Sequence, residues 1–79
     1  MTDNDIRKWE VIIDKKKHYT ISFIGENSTN HTVTTLPDKS GLFTAIKSFV
    51  KKNKELFLDD GACNYTYCID SVDVEFRKI

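Results

Sequence analysis

Apolar residues recur along this chain with two different periods, and the change from one to the other marks where strands give way to a helix. From Arg7 to Asp14 the period is two: Arg7, Trp9, Val11 and Ile13 share one parity, and Lys8, Glu10, Ile12 and Asp14 share the other. That alternation predicts a strand with one face on a core. Lys15, Lys16 and Lys17 interrupt it, and it resumes with Tyr19, Ile21 and Phe23 against His18, Thr20 and Ser22. The first two strands are therefore expected to form a hairpin with the lysines at its solvated tip. Residues Gly25 to Asn30 are rich in Gly, Asn, Ser and Thr and read as a connection. His31 to Leu36, rich in β-branched residues, predicts a third strand that Pro37 ends, and its Thr and His face places it at a sheet edge.

The period then lengthens. In Ser40 to Lys54, SGLFTAIKSFVKKNK, steps of 100° put Leu42, Ala45, Ile46, Phe49 and Val50 on one stripe with Phe43 at its border. Lys47, Lys51 and Lys54 stack on the opposite side. Asp38 or Ser40 is the expected cap, and lysines crowd the last turn, where the helix dipole favours cations. Leu56, Phe57 and Leu58 are expected as a lid under the helix end, followed by a turn at Asp59-Asp60-Gly61.

Beyond this turn Cys63, Tyr65, Tyr67 and Ile69 share one parity, and Val72, Val74 and Phe76 share the other. A two-residue turn at Asp70-Ser71, or a bulge in one continuous strand, restores a common apolar face, and the sequence leaves both open. In the hairpin version Ile69 faces Val72, Tyr67 faces Val74 and Tyr65 faces Phe76. The pattern predicts one α+β domain over residues 1–79, with 1–5 frayed. Its order is βββαβ(β): a single antiparallel or mixed sheet of four to five strands with one helix packed on one face.

Composition narrows the class without naming an activity. Apolar residues make up 39% of the 79, with one Trp, three Tyr and five Phe, enough for one sheet-and-helix core. A chain this short buries about 60% of its unfolded surface, so its stability is expected to be marginal. The opening MTDNDIRKWE carries acids and no apolar run, and no stretch of eighteen apolar residues occurs, so neither a secretory signal nor a membrane span is expected and the location is predicted to be cytoplasmic. The sequons at Asn27, Asn30 and Asn64 are then without consequence. Cys63 and Cys68 on one strand would lie roughly 16 Å apart at ~3.3 Å per residue, beyond disulfide reach, with Cys63 on the packed parity and Cys68 on the other. They are read as free thiols. Two histidines, His18 and His31, at unsuitable spacing do not complete a zinc site.

No Gly-rich phosphate loop, nucleophile elbow or paired metal ligand is present in the sequence, so no enzyme and no cofactor is predicted. The RNA recognition motif needs a second helix and its aromatic signature, and the double-stranded RNA-binding domain begins with a helix, so neither fits. Trp9, Tyr65 and Tyr67 sit on apolar parities and read as core rather than as a base-stacking platform.

Charge says more. The formal net charge is zero, yet Lys39 to Lys54 holds five lysines and no acid, while Glu55 to Glu75 holds six acids and no lysine or arginine. The expectation is a non-enzymatic protein-binding module, an inhibitor or accessory factor of a larger enzyme or nucleic-acid machine, that acts through an acidic rim of Asp59, Asp60, Asp73 and Glu75. The alternative is a nucleic-acid-binding domain that uses Lys47, Lys51, Lys52 and Lys54. A monomer or weak homodimer is expected. The sheet face away from the helix, carrying Lys8, Glu10, Ile12, Thr20, Ser22, Ile24, Asp73, Glu75 and Arg77, is predicted to be a wet interface.

Overall fold

A computed structural model describes residues 5–25, 31–38, 41–59 and 61–79, with the side chain of Asp5 excepted. Strands β1 (Asp5–Ile13), β2 (Lys17–Gly25) and β3 (His31–Thr34) precede helices α1 (Gly41–Lys52) and α2 (Lys54–Leu58), and β4 (Tyr65–Ile69) and β5 (Val72–Lys78) follow. The strands form one sheet in the order β3-β2-β1-β5-β4, and every neighbouring pair is antiparallel. This is the α+β architecture that the periodicities predict, with the sheet antiparallel rather than mixed and with a second, short helix. β3 does lie at an edge.

Both hairpins reverse through left-handed backbone. Asp70 and Ser71 have φ of 54° and 65°, the geometry of a two-residue primed turn, which settles the choice between hairpin and bulge. The resulting register pairs Ile69 with Val72, Tyr67 with Val74 and Tyr65 with Phe76. Asp14 and Lys15 have φ of 53° and 59°, and the amide of Lys16 closes their turn on the carbonyl of Ile13 at 3.0 Å. The loop between the first two strands is thus Asp14 to Lys16, and Lys17 already pairs with Ile13.

The core lies between the sheet and the helices. Trp9, Val11, Ile13, Ile21, Phe23, Val74 and Phe76 are buried from the sheet side, and Ile46, Val50 and Phe57 are buried from the helix side. Phe49 is half-buried and stacks on Phe76 at a centroid distance of 5.7 Å.

Two expectations are corrected here. The helix does not run through to Lys54: it breaks at Asn53, whose backbone and side-chain amides both donate to the carbonyl of Phe49, at 3.0 and 2.9 Å. Leu56 to Leu58 are not a lid but part of α2, and the break turns Phe57 into the middle of the core. There Phe57 meets Trp9 edge-on at 5.2 Å, and the indole Nε1–H donates to its carbonyl at 3.1 Å. Cys63 is not on strand four, which starts at Tyr65; both cysteines are exposed, so Cys63 does not occupy a packed parity. At the start of α1 the carboxylate of Asp38 pairs with Lys47, and Ser40, the other cap candidate, lies outside the described residues. A carboxylate oxygen of Asp70 approaches to 4.0 Å of the position that a Cβ on Gly41 would take, close to the positive end of that helix.

Candidate functional site

Strand alternation decides where the acids stand. Val74 and Phe76 are fully buried in the core, so Asp73 and Glu75 project from the opposite face of the sheet, which carries no helix. Asp73 is exposed and faces Cys68 across the ladder. Glu75 is half-buried, lies between Ile12 and Thr66 in register, and accepts a 3.2 Å hydrogen bond from Arg77 Nη2. Asp59 is elsewhere. It caps the C-terminus of α2 on the helix side, where its Oδ1 accepts the amide of Gly61 at 3.1 Å. Asp60 lies outside the described residues. The structure thus brings Asp73 and Glu75 together and separates Asp59 from them.

The four lysines divide as well. Lys47, Lys51 and Lys54 border a groove of about 340 Å³ between α1 and the β2–β3 side of the sheet, while Lys52 is exposed and does not line it. Ile21, Leu36 and Val50 form the apolar floor, and Thr32 and Thr34, which share the face of Ile21 and Phe23 by register, form the strand wall. The groove opens where β3, four residues long, leaves the sheet incompletely covered by the helix.

The uncovered face holds what the charge pattern did not disclose. Ile6, Val33 and Ile79 are the exposed large hydrophobics among the described residues, at 56%, 44% and 68% exposure. Ile6 pairs with Ile24, Val33 pairs with Ser22, and the amide of Ile79 donates to the carbonyl of Lys8 at 3.1 Å. Register therefore places Ile6 beside half-buried Ile24, with Val33 and Ile79 flanking Ser22 and Lys8 in the next row, all at one end of the face, away from the Asp14 and Asp70 turns. Glu10 and His18 follow along that face, His18 Nδ1–H donating to Glu10 Oε2 at 2.7 Å. A signal for this patch was present in Ile6 and Ile24, both isoleucines on the polar parity of their strands. For the groove there was none, because it depends on where the helix lies across the sheet.

Among the described residues no three His, Cys, Asp or Glu side chains are grouped to hold a metal ion. The phenol of Tyr65 is raised above its ordinary value of 10.0, by desolvation first and then by the charges of Cys63, Asp59 and Tyr67. Its hydroxyl donates to the carbonyl of Leu56 at 3.0 Å, which makes it a strut between β4 and α2. No described helix is long and apolar enough to cross a membrane. In comparison with known proteins, no family model matches the chain, and neither the curated proteins nor the solved structures contain a match to it.

Proposed function

We propose that this chain is a non-enzymatic protein-binding module that receives its partner on the uncovered face of the sheet. One observation carries the reading: Ile6, Val33 and Ile79, the exposed large hydrophobics among the described residues, all stand at the same end of the face opposite the helices. Exposed apolar side chains set among polar and charged ones, here Lys8, Glu10 and His18, are what a specific protein interface offers. Asp73 and Glu75 lie on the same face, so the matching surface carries an apolar projection and, towards the Asp73 end, basic side chains. A module of this kind suits an accessory factor or inhibitor of a larger enzyme or nucleic-acid machine. The test compares three proteins as bait: the natural chain, an Ile6→Ser/Val33→Ser variant and a Lys51→Glu/Lys52→Glu variant. A partner that is lost with the first variant and kept with the second supports the reading. One that is kept with the first and lost with the second overturns it.

Nucleic acid is the second reading, and the convergence of Lys47, Lys51 and Lys54 favours it. Against it, Lys47 is already paired with Asp38, and an apolar floor suits no phosphate backbone. Phosphate binding by several lysines weakens steeply with salt, so a mobility shift at low salt that disappears at higher salt is its signature.

A further inference from the structure

We propose that the outer edge of β4 takes an added strand: an extended peptide of another protein, paired antiparallel, with lysine or arginine on one parity and apolar side chains on the other. This rests on the reading of the chain as a protein-binding module but not on the Ile6, Val33 and Ile79 patch, so the two fail separately. β4 pairs with β5 on one side and with no strand on the other. The two-residue turn at Asp70 and Ser71 makes Ile69 and Val72 its closing hydrogen-bonded pair. Alternation then turns the N–H and C=O groups of Tyr65, Tyr67 and Ile69 towards β5, and those of Thr66 and Cys68 outwards. Among the described residues no backbone bond reaches Thr66 or Cys68 from outside the ladder. Donors and acceptors in that arrangement specify their occupant, because an extended backbone presents the matching groups at the same interval. The edge is also unguarded. Its sequence, YTYCI, holds no proline and no charged residue, the devices that blunt exposed edges, whereas β3 at the opposite edge is four residues long and is closely followed by Pro37.

Side chains set the chemistry of the partner. On the uncovered face Thr66 and Cys68 are exposed, and Asp73 stands behind Cys68 on β5. Arg77 holds Glu75, but no described residue pairs with the Asp73 carboxylate. A residue opposite Cys68 on an added strand lies two strand spacings, roughly 10 Å, from Asp73 at the backbone, and lysine or arginine is long enough to lean over Cys68 towards it. The chain from Glu55 to Glu75 holds six acids and no lysine or arginine, so this edge draws cations along its length. On the helix side Tyr65 and Tyr67 are half-buried, and the Phe49 ring of α1 lies 4.7 Å from that of Tyr67. This aromatic shelf receives the apolar parity. A second copy of the chain fits less well, since β4 carries no cation to meet Asp73.

The experiment follows backbone amide resonances while the protein is titrated at low salt with the end-capped peptide Lys-Val-Lys-Val-Lys-Val-Lys. Saturable shifts centred on Thr66, Tyr67 and Cys68 are expected, and hydrogen exchange at the Thr66 and Cys68 amides should slow at least about tenfold. Glu-Val-Glu-Val-Glu-Val-Glu should bind at least about tenfold more weakly, and Asp73→Lys should weaken the lysine peptide by about threefold or more. N-methylation of the inner lysines, whose amides face β4 in this pairing, should abolish binding, whereas N-methylation of the valines, whose amides face away, should not. Thr66→Pro removes one outward donor without breaking a ladder bond and should abolish binding too, with circular dichroism confirming the fold. Ile6→Ser/Val33→Ser should leave the affinity unchanged. Binding that is indifferent to which parity is methylated would reduce the contact to charge alone and overturn the proposal. So would shifts centred on Ile6, Val33 and Ile79, or protection of the Thr66 and Cys68 amides that grows with protein concentration in the absence of peptide, the mark of a second copy on the edge. No saturable shift at Thr66 and Cys68 would also sink it, and would leave the sheet-face reading standing.

Discussion

Ser71 occupies a left-handed position that glycine takes at no steric cost and serine takes at a cost of about 1–2 kcal/mol. Its neighbour Asp70 shares that conformation, but aspartate tolerates it better. Ser71→Gly is therefore expected to stabilise the fold by about 1 kcal/mol, less the extra freedom glycine brings to the unfolded chain. For a domain of this size about 1 kcal/mol corresponds to roughly 4–8 °C in Tm, so an increase of a few degrees, below that ceiling, is expected. An unchanged or lowered melting temperature would show that the turn is not strained at that residue. Tyr65 makes a second prediction at this scale. Because its pKa is raised on folding, its contribution is fully present below pH 10.0 and is lost as the pH rises through the higher folded value. Tyrosinate absorbance during alkaline titration should show one phenol ionising late, and Tyr65→Phe should remove that late component. The exposed positions of Cys63 and Cys68 predict prompt alkylation of both thiols in the native protein.

At the scale of elements, α2 is disproportionately important for its five residues. Phe57 is 1% exposed and its ring lies 5.2 Å from Trp9 and 5.0 Å from Phe76. Phe57→Ala removes that contact from both strands at once, and a buried Phe→Ala change costs about 3–5 kcal/mol. Small domains hold roughly 5–15 kcal/mol in total, so the variant should unfold at much lower denaturant or not fold at 37 °C. The stripe of α1 predicts a sharper contrast. Ile46 is fully buried and Lys52 exposed, so Ile46→Asp should abolish the folded circular dichroism spectrum, whereas Lys52→Asp should leave it intact. A folded Ile46→Asp protein would mean that α1 turns another side to the sheet.

For the whole molecule, the sheet is a partition with different chemistry on its two sides. Lysines border a groove beside α1 on the helix side, and the acids Asp73 and Glu75 stand with an isoleucine and valine patch on the other. Separated charges of this kind act on encounter more than on final affinity. With a partner in hand, Asp73→Lys/Glu75→Lys should mainly slow association and weaken its dependence on salt, and Ile6→Ser/Val33→Ser should mainly speed dissociation. Stopped-flow or surface-binding kinetics separate the two. If the acid reversals left the association rate unchanged, Asp73 and Glu75 would play no steering part.

Periodicity is a local property, and what depends on it was legible in the sequence alone: three strand segments before the helix, extended chain after it that the sequence leaves open between a hairpin and one bulged strand, the buried stripe of α1, and the parity that places Asp73 and Glu75 opposite Val74 and Phe76. The pairing of Tyr65 with Phe76 was legible too, because once a two-residue turn is chosen the register follows from counting. Tertiary structure decided the rest. Nothing near Asn53 signals that the chain must bend there; the bend exists because Phe57 packs against Trp9, a residue 48 positions away whose indole bonds to its carbonyl. Cys63 fell outside the strand that its parity suggested, since β4 begins only at Tyr65, the partner of Phe76. Asp59 left the company of the other acids because α2 carries it to the helix side. The groove, likewise, arises from the helix passing beside a short edge strand, an arrangement set by long-range packing that no window of neighbouring residues contains.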